Sequence, residues 1–418
     1  MTISGLLYTA STALEAFGAS IAVAGNNIAN VNTAGFKASR TEFADLLPTT
    51  SGAFESGHGV RLAQVRTTFQ QGALETTRNS TDLAVDGQGF FVVRDAAGDM
   101  FYTRAGEFHV DASGNLANPL NYVLQGSSGD VSLAGALTMP ARATSNLGLT
   151  LNLDAAASTP AGNFPVGPDA TPGAWTSAAN YSLISTLYDS TGTAHDATFL
   201  FRKAAPNVWD YRVVAPVSEL DAAMPASTDL REISAGGTLR FNSDGSLDAA
   251  GSTVGAINAL TWAGGGATPA IGAGALNFNG TVQYAGASTI TALNTDGSLA
   301  GSLTDISIDA TGVLVGRYSN GRSQAIGNIV LGNFNSEEGL AAAGAGLFRE
   351  TLESGAARIG TPGQNELGEI VSGALEMSTA DLAREFVSLI NSQRDFQMSS
   401  RVITVADEIY TEAARLKA

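Results

Sequence analysis

The chain contains no cysteine. That excludes disulfides, thiolate catalysis and Cys-based metal sites together, and it suits a chain that crosses compartments without forming wrong crosslinks. Basic residues are also scarce. There are 22 Lys and Arg against 39 Asp and Glu, a formal charge of −17, and none of the basic residues falls within the first 36 positions. A nucleic-acid partner needs a basic surface, so DNA and RNA are not expected as partners. Aromatics make up only 7% while Gly is frequent at 48 residues, which favours turn-rich β structure over dense α/β packing. No uninterrupted run of about 18 apolar residues is present, so no membrane span is expected. The N-terminus lacks a basic lead and is interrupted by Glu15; no cleaved signal peptide is expected, and the start of the chain is read as retained.

Chemistry-bearing motifs are missing as well. There is no G-x-S-x-G, no H-E-x-x-H and no Gly-Lys-Ser/Thr after the Gly-rich runs, and the three histidines (His58, His109, His195) lie far apart. Asp-x-x-Gly repeats at Asp95–Gly98, Asp111–Gly114, Asp189–Gly192 and Asp309–Gly312, and Asp-Gly pairs at Asp86-Gly87, Asp244-Gly245 and Asp296-Gly297, read as hairpin turns, because none has calcium-loop spacing. No catalytic residue, metal or cofactor is expected, and the chain is read as a non-enzyme.

What is present sits at the two ends. Leu7, Leu14, Ile21 and Ile28 are each seven apart, and Ile3, Ala10, Phe17, Ala24 and Val31 form an offset series of the same period. Steps of four and three are the pattern of a coiled-coil seam. Glu15 is the only charge in residues 1–30, whereas an isolated surface helix carries charged faces; this helix is expected to be buried on more than one side. At the other end Leu375, Leu382, Leu389, Phe396, Ile403 and Tyr410 form a second seven-residue ladder, widened by Phe386, Ile390, Val402, Val405 and Ile409. STADL at 378–382 supplies a helix start, with Ser or Thr as cap and Asp in the first turn. Between the ends, from about residue 70, short β-rich runs alternate with turns. Residues 146–280 drift toward Ala, Gly, Thr and Ser yet keep strand-like runs such as YSLISTLYD and ATFLFRK.

The stretch NNIANVNTAGFKASR at 26–40 resembles the N-terminal signature of the bacterial flagellar axial family of rod, hook and hook-associated proteins, carried here by Asn26, Asn27, Asn30, Asn32, Thr33, Gly35, Phe36 and Lys37. Residues 374–408 look like the matching C-terminal signature, and DLAVDGQGFFVV, YTRAGEFHVDASGNL and SIDATGVLVGRYSNG are similar to the shared body domain. The insert, with NYSLISTLYDSTGTAHDATFLFRK, resembles the extra domain of the hook branch. The resemblance implies an α+β, mainly β fold: terminal helices at 1–32 and 372–418 pairing as a coiled coil, a linker or bend at 33–70, a discontinuous body domain at 71–145 and 281–371, and an inserted outer domain at 146–280.

It further implies a structural subunit polymerising into the hook outside the cell, exported without a cleaved signal. Its partners would be copies of itself, the distal rod protein, the hook cap protein, the hook–filament junction protein and the export apparatus. Ile3, Leu7, Leu14, Phe17, Ile21, Ile28, Leu375, Leu382, Leu389, Phe396, Ile403 and Tyr410 would form the assembly interface, and Asn30, Asn32, Thr33, Gly35, Phe36 and Lys37 the bend. A distal rod or hook–filament junction protein, or a secreted adhesin or hydrolase with flagellar-like ends, are the alternatives.

Overall fold

A computed structural model describes residues 3–46, 49–51, 54–56, 59–165, 173–221 and 229–417. The fold is mainly β with one long helix at each end, and it divides into two compact units. One comprises 1–137, 304–317 and 323–418; the other comprises 138–303 and 318–322. The second unit runs beyond 146–280 on both sides: the strand at Thr289–Thr295 pairs along the whole of Leu147–Asn152, and Thr138–Met139 pairs with Gly301 and Ser302.

In the first unit the N-terminal helix Ile3–Ala29 and the C-terminal helix Leu382–Lys417 pack side by side. By length and composition alone Gly5–Ala29 would also qualify as a membrane-crossing helix, a correction to the expectation from uninterrupted apolar runs. The segment 33–70, expected to be a linker, carries paired strands instead. Ser39–Asp45 and Val60–Thr67 form an antiparallel pair against the N-terminal helix, with Phe43 edge-to-face on Phe17 at 6.2 Å. The body sheet is built around Phe90–Arg94, whose first four residues are all buried, as a central strand covered on both faces requires. Phe90, Val92, Tyr102, Val330, Phe334 and Phe348 form its core, with Tyr102 meeting Phe334 edge-on at 4.7 Å. The chain returns from this sheet through Glu369–Ser372, paired with Leu83–Asp86, and Ala374–Glu376, paired with Leu74–Thr76. Leu375 therefore lies in a strand and not in the C-terminal helix.

The second unit packs a five-stranded antiparallel sheet and a three-stranded sheet around Leu147, Leu149, Leu151, Phe199, Phe201, Trp209, Tyr211, Val213 and Trp262. Leu147–Asn152 alternates buried and half-buried along its length, the period-two pattern of a strand with one face on a core. Four Asp-x-x-Gly turns close hairpins, each Asp carboxylate accepting the N–H two residues on: Asp95 from Ala97, Asp111 from Ser113, Asp189 from Thr191 and Asp309 from Thr311. Asp296-Gly297 departs from the hairpin expectation. The Asp296 carboxylate instead reaches back to the Ser145 and Asn146 N–H groups, each at 2.8 Å.

Candidate packing surface at the chain ends

Small side chains take the buried positions of the terminal helices. Among the described side chains, Ala10, Ala16, Ser20, Ala24 and Asn27 are the buried positions of the N-terminal helix, and Ser392 and Ala406 those of the C-terminal helix. Ser20 and Ser392 share a hydrogen bond at 2.9 Å. Ala16, Ser20 and Ala24, four apart, make a smooth face on which a second helix approaches closely. The large residues of the seven-residue ladders are less buried. Leu7, Leu14, Phe17, Ile21 and Ile28 are half-buried, as are Leu389 and Ile403. Leu382, Phe396 and Tyr410 are exposed, together with Phe386, Val387, Ile390, Met398, Val402, Val405 and Ile409. Ile3 opens the helix, but its side chain lies outside the described ones. The most buried positions of both helices are thus small, while the large ladder residues are half-buried or exposed; Leu389 and Ile403 stand three positions before Ser392 and Ala406 and share their face. Much of the apolar volume of the C-terminal helix faces outward.

That helix starts at Leu382, and its cap is Asp381 itself: the carboxylate accepts the N–H groups of Ala383 at 2.9 Å and Arg384 at 3.1 Å. Ser378, by contrast, accepts only the Ala380 N–H, before the helix begins.

The bend joins both ends to the body. Asn27 clamps the start of the next strand, donating to the Ser39 carbonyl at 2.7 Å and accepting the Ser39 N–H at 3.0 Å. Asn30 donates to the Asn26 carbonyl, and Thr33 donates to the Asn30 side chain; Asn32 is exposed. Gly35 has φ +68, and a Cβ there would stand 2.3 Å from the Ala105 nitrogen, so both conformation and space require glycine. Its N–H donates to the Glu376 carbonyl at 2.7 Å, while the Phe36 carbonyl accepts the Thr379 N–H at 3.1 Å.

Lys37 ends the bend inside the protein. Its Nζ lies 2.6 Å from Glu376 Oε1 and 2.6 Å from the Gln70 carbonyl. Glu376 also accepts the Gly72 N–H at 2.7 Å and faces Arg104 at 3.4 Å. The side chains of Lys37, Glu376 and Arg104 are only 1%, 0% and 3% exposed. Burial pushes the Lys37 ammonium below its usual range and the Arg104 guanidinium likewise, against the pull of the Glu376 carboxylate on both. Half-buried Glu337 nearby is pushed up, chiefly by burial. Sequence reasoning finds Lys37 through its motif but misses Glu376, Arg104, Ser20 and Ser392. The spacing Ala16, Ser20, Ala24 is a legible signal for the seam; nothing in the sequence links Lys37 to a carboxylate 339 positions away.

The two described histidines form no joint site. His58 lies outside the described residues, His109 is exposed in a two-residue strand, and His195 stacks on Trp262 at 3.8 Å between Asp189 and Glu219. No group of three metal-ligating side chains occurs among the described residues. With its exposed large apolar side chains, the region at the chain ends is suited to packing against other surfaces, as in a structural subunit.

Comparison with known proteins gives this class its particular form. Four domain families match along the chain. "Flagella basal body rod protein" covers 7–37, and "Flagellar hook protein FlgE/F/G D1 domain" covers 84–152. "Flagellar basal body protein FlaE D2 domain" covers 152–298, and "Flagellar basal body rod FlgEFG protein C-terminal" covers 371–416. The flagellar hook protein FlgE of Salmonella typhimurium is 33% identical, the match covering 98% of this chain and 99% of that one. The hook protein FlgE of Borreliella burgdorferi is 30% identical over 98% of this chain and 99% of its own length. The crystal structure of Helicobacter pylori flagellar hook protein FlgE2 aligns with 72% of this chain and 100% of that chain at 13% identity, with a TM-score of 0.48. The chain belongs to the flagellar hook protein family. The distal rod, hook–filament junction and secreted adhesin or hydrolase alternatives are not favoured, since the hook proteins match from end to end, insert included.

Proposed function

We propose that the chain is a non-enzymatic structural subunit that polymerises into the flagellar hook, a curved and flexible tube transmitting torque from the motor rod to the filament. The observation that carries this is the run of exposed large apolar side chains along the C-terminal helix, from Phe386 and Val387 to Ile409 and Tyr410, with Tyr410 at 63% and Val387 at 59% exposure. Many exposed large apolar side chains on one helix mark an interaction site. Copies of the same chain are its partner: the two terminal ladders, Ile3 through Ile28 and Leu382 through Tyr410, are the assembly interface. The bend of Asn30, Asn32, Thr33, Gly35, Phe36 and Lys37 transmits load from the helices to the body.

The unit at 138–303 is then the outer domain, whose polar surface slides against neighbours as the tube bends. Contacts with the distal rod protein, the hook cap, the hook–filament junction protein and the export apparatus, and export without a cleaved signal, belong to the same reading. The test is polymerisation of the purified chain. Tubes under the electron microscope are expected; a chain that stays monomeric at high concentration and high salt contradicts the reading.

A further inference from the structure

The turn from Thr351 to Gly355 is fixed from within. The Ser354 hydroxyl, fully buried, accepts the Thr351 N–H at 2.9 Å and faces the Thr351 carbonyl at 3.1 Å. The Thr351 hydroxyl donates to the Gly339 carbonyl at 2.6 Å and accepts the N–H groups of Glu353 and Ser354 at 3.1 and 3.2 Å. Gly355, at φ +72, closes the turn with its N–H on the Thr351 carbonyl at 3.1 Å. The residue this scaffold displays is Leu352, 103% exposed, more than any other exposed large apolar side chain among the described residues. An isolated surface leucine is ordinary. One held fully outward on a turn seated on buried Ser354 is presented to something.

The same unit contains a cavity of about 310 Å³ whose apolar wall is Phe36, Ala342, Leu347 and Phe348, with uncharged polar residues such as Asn30 and Thr67 elsewhere in the lining and Lys37 as the one charged lining residue. On its edge the turn Gly344-Ala345-Gly346 runs through three consecutive positive φ angles (+90, +52, +73), and Ala345 is strained there because it has a Cβ. We propose that Leu352 is an intersubunit knob and that this cavity, on a neighbouring copy, is its socket. The volume is ample for a leucine side chain. The exposed Glu353 beside the knob meets a lining without carboxylates. The socket also adjoins the bend, so the contact is continuous with the proposed helix interface. Knob and socket are different patches of one chain, so the contact is heterologous and propagates along a polymer instead of closing a dimer.

This inference rests on the hook-subunit reading, and the experiment separates the two. Because the full chain has no native thiol, Leu352→Cys carries a single one. Its maleimide labelling is expected to be fast in the monomer and at least about tenfold slower in tubes. Leu352→Asp is expected to leave the monomer's melting unchanged and to raise the critical concentration about 10- to 100-fold, the equivalent of one buried leucine. Oxidised tubes of Leu352→Cys/Ala342→Cys should give a ladder of covalent oligomers. Equal labelling in monomer and tube, or an unchanged critical concentration for Leu352→Asp, overturns the knob. Protected labelling without a ladder overturns the pairing with this socket. A native chain that forms no tube overturns the inference together with the reading beneath it.

Discussion

Replacing Glu376 by Gln removes the carboxylate that both Lys37 and Arg104 face, at 2.6 and 3.4 Å, with all three side chains at or below 3% exposure. Breaking a buried ion pair by removing one partner costs about 3–5 kcal/mol, because the remaining charge stays desolvated. Here two cations remain. Lys37→Met removes the other side of the pair but leaves Glu376 with Arg104 and the Gly72 N–H. What is lost is then about the net worth of one or two charge-assisted hydrogen bonds, roughly 1.5–3 kcal/mol. Glu376→Gln should therefore be the more damaging change, although it is the more conservative in shape.

For a unit of this size, about 3–5 kcal/mol corresponds to a fall in melting temperature of roughly 6–20 °C. The assay has an internal control. All three tryptophans, Trp175, Trp209 and Trp262, belong to the 138–303 unit, so fluorescence follows that unit while calorimetry follows both. The calorimetric transition of the first unit should drop and the fluorescence transition should stay. Equal effects of Glu376→Gln and Lys37→Met, or no effect of either, would refute the account of the cluster.

Two further outcomes follow from the geometry. Gly35→Ala should cost at least about 2 kcal/mol, from left-handed strain plus a backbone clash, whereas Gly98→Ala, at φ +97 with nothing within 4 Å, should cost only about 1 kcal/mol; urea titration of the two variants measures the difference. In acid, the 138–303 unit should lose stability as pH falls below about 3.8, the ordinary value for its aspartates. Burial raises Asp296 and Asp189, but hydrogen bonds from Ser145 and Asn146, and from Thr191, Thr193 and His195, outweigh it and hold both below that value. Groups so lowered contribute stability above their unfolded value and lose it as they protonate. Asp296→Asn should flatten the acid limb of the fluorescence titration, and an unchanged limb would contradict this.

How much of this was legible in the sequence differs by element. The two terminal helices follow from the period of Leu7, Leu14, Ile21 and Ile28 and of Leu382 through Tyr410. Apolar residues recurring every seven positions share one face of a helix, whereas in a strand they alternate between its two faces. The period does not say which stripe meets which partner. In each helix the fully buried positions went to small residues such as Ser20, Ala24, Ser392 and Ala406, and the large ones are half-buried or exposed. Leu375 continued the period by coincidence and pairs as a strand with Glu75. The left-handed turn at Gly35 is local chemistry and could be read from Thr-Ala-Gly. The buried Lys37–Glu376–Arg104 cluster joins residues hundreds of positions apart, and only the fold brings them together.

The central claim is that the outward apolar face of the C-terminal helix is an assembly interface and not part of the monomer's core. Phe386 and Ile390, at 46% exposure each, lie four apart on that face. Replacing both by Asp removes about 2 kcal/mol or more of apolar burial at each and adds the cost of desolvating two carboxylates, but only where the face becomes buried. Negative-stain electron microscopy of Phe386→Asp/Ile390→Asp beside the native chain, with both monomers melting at the same temperature, is the direct measurement. The account predicts tubes from the native chain and none from the variant. Tubes of normal length and number from the variant would contradict it.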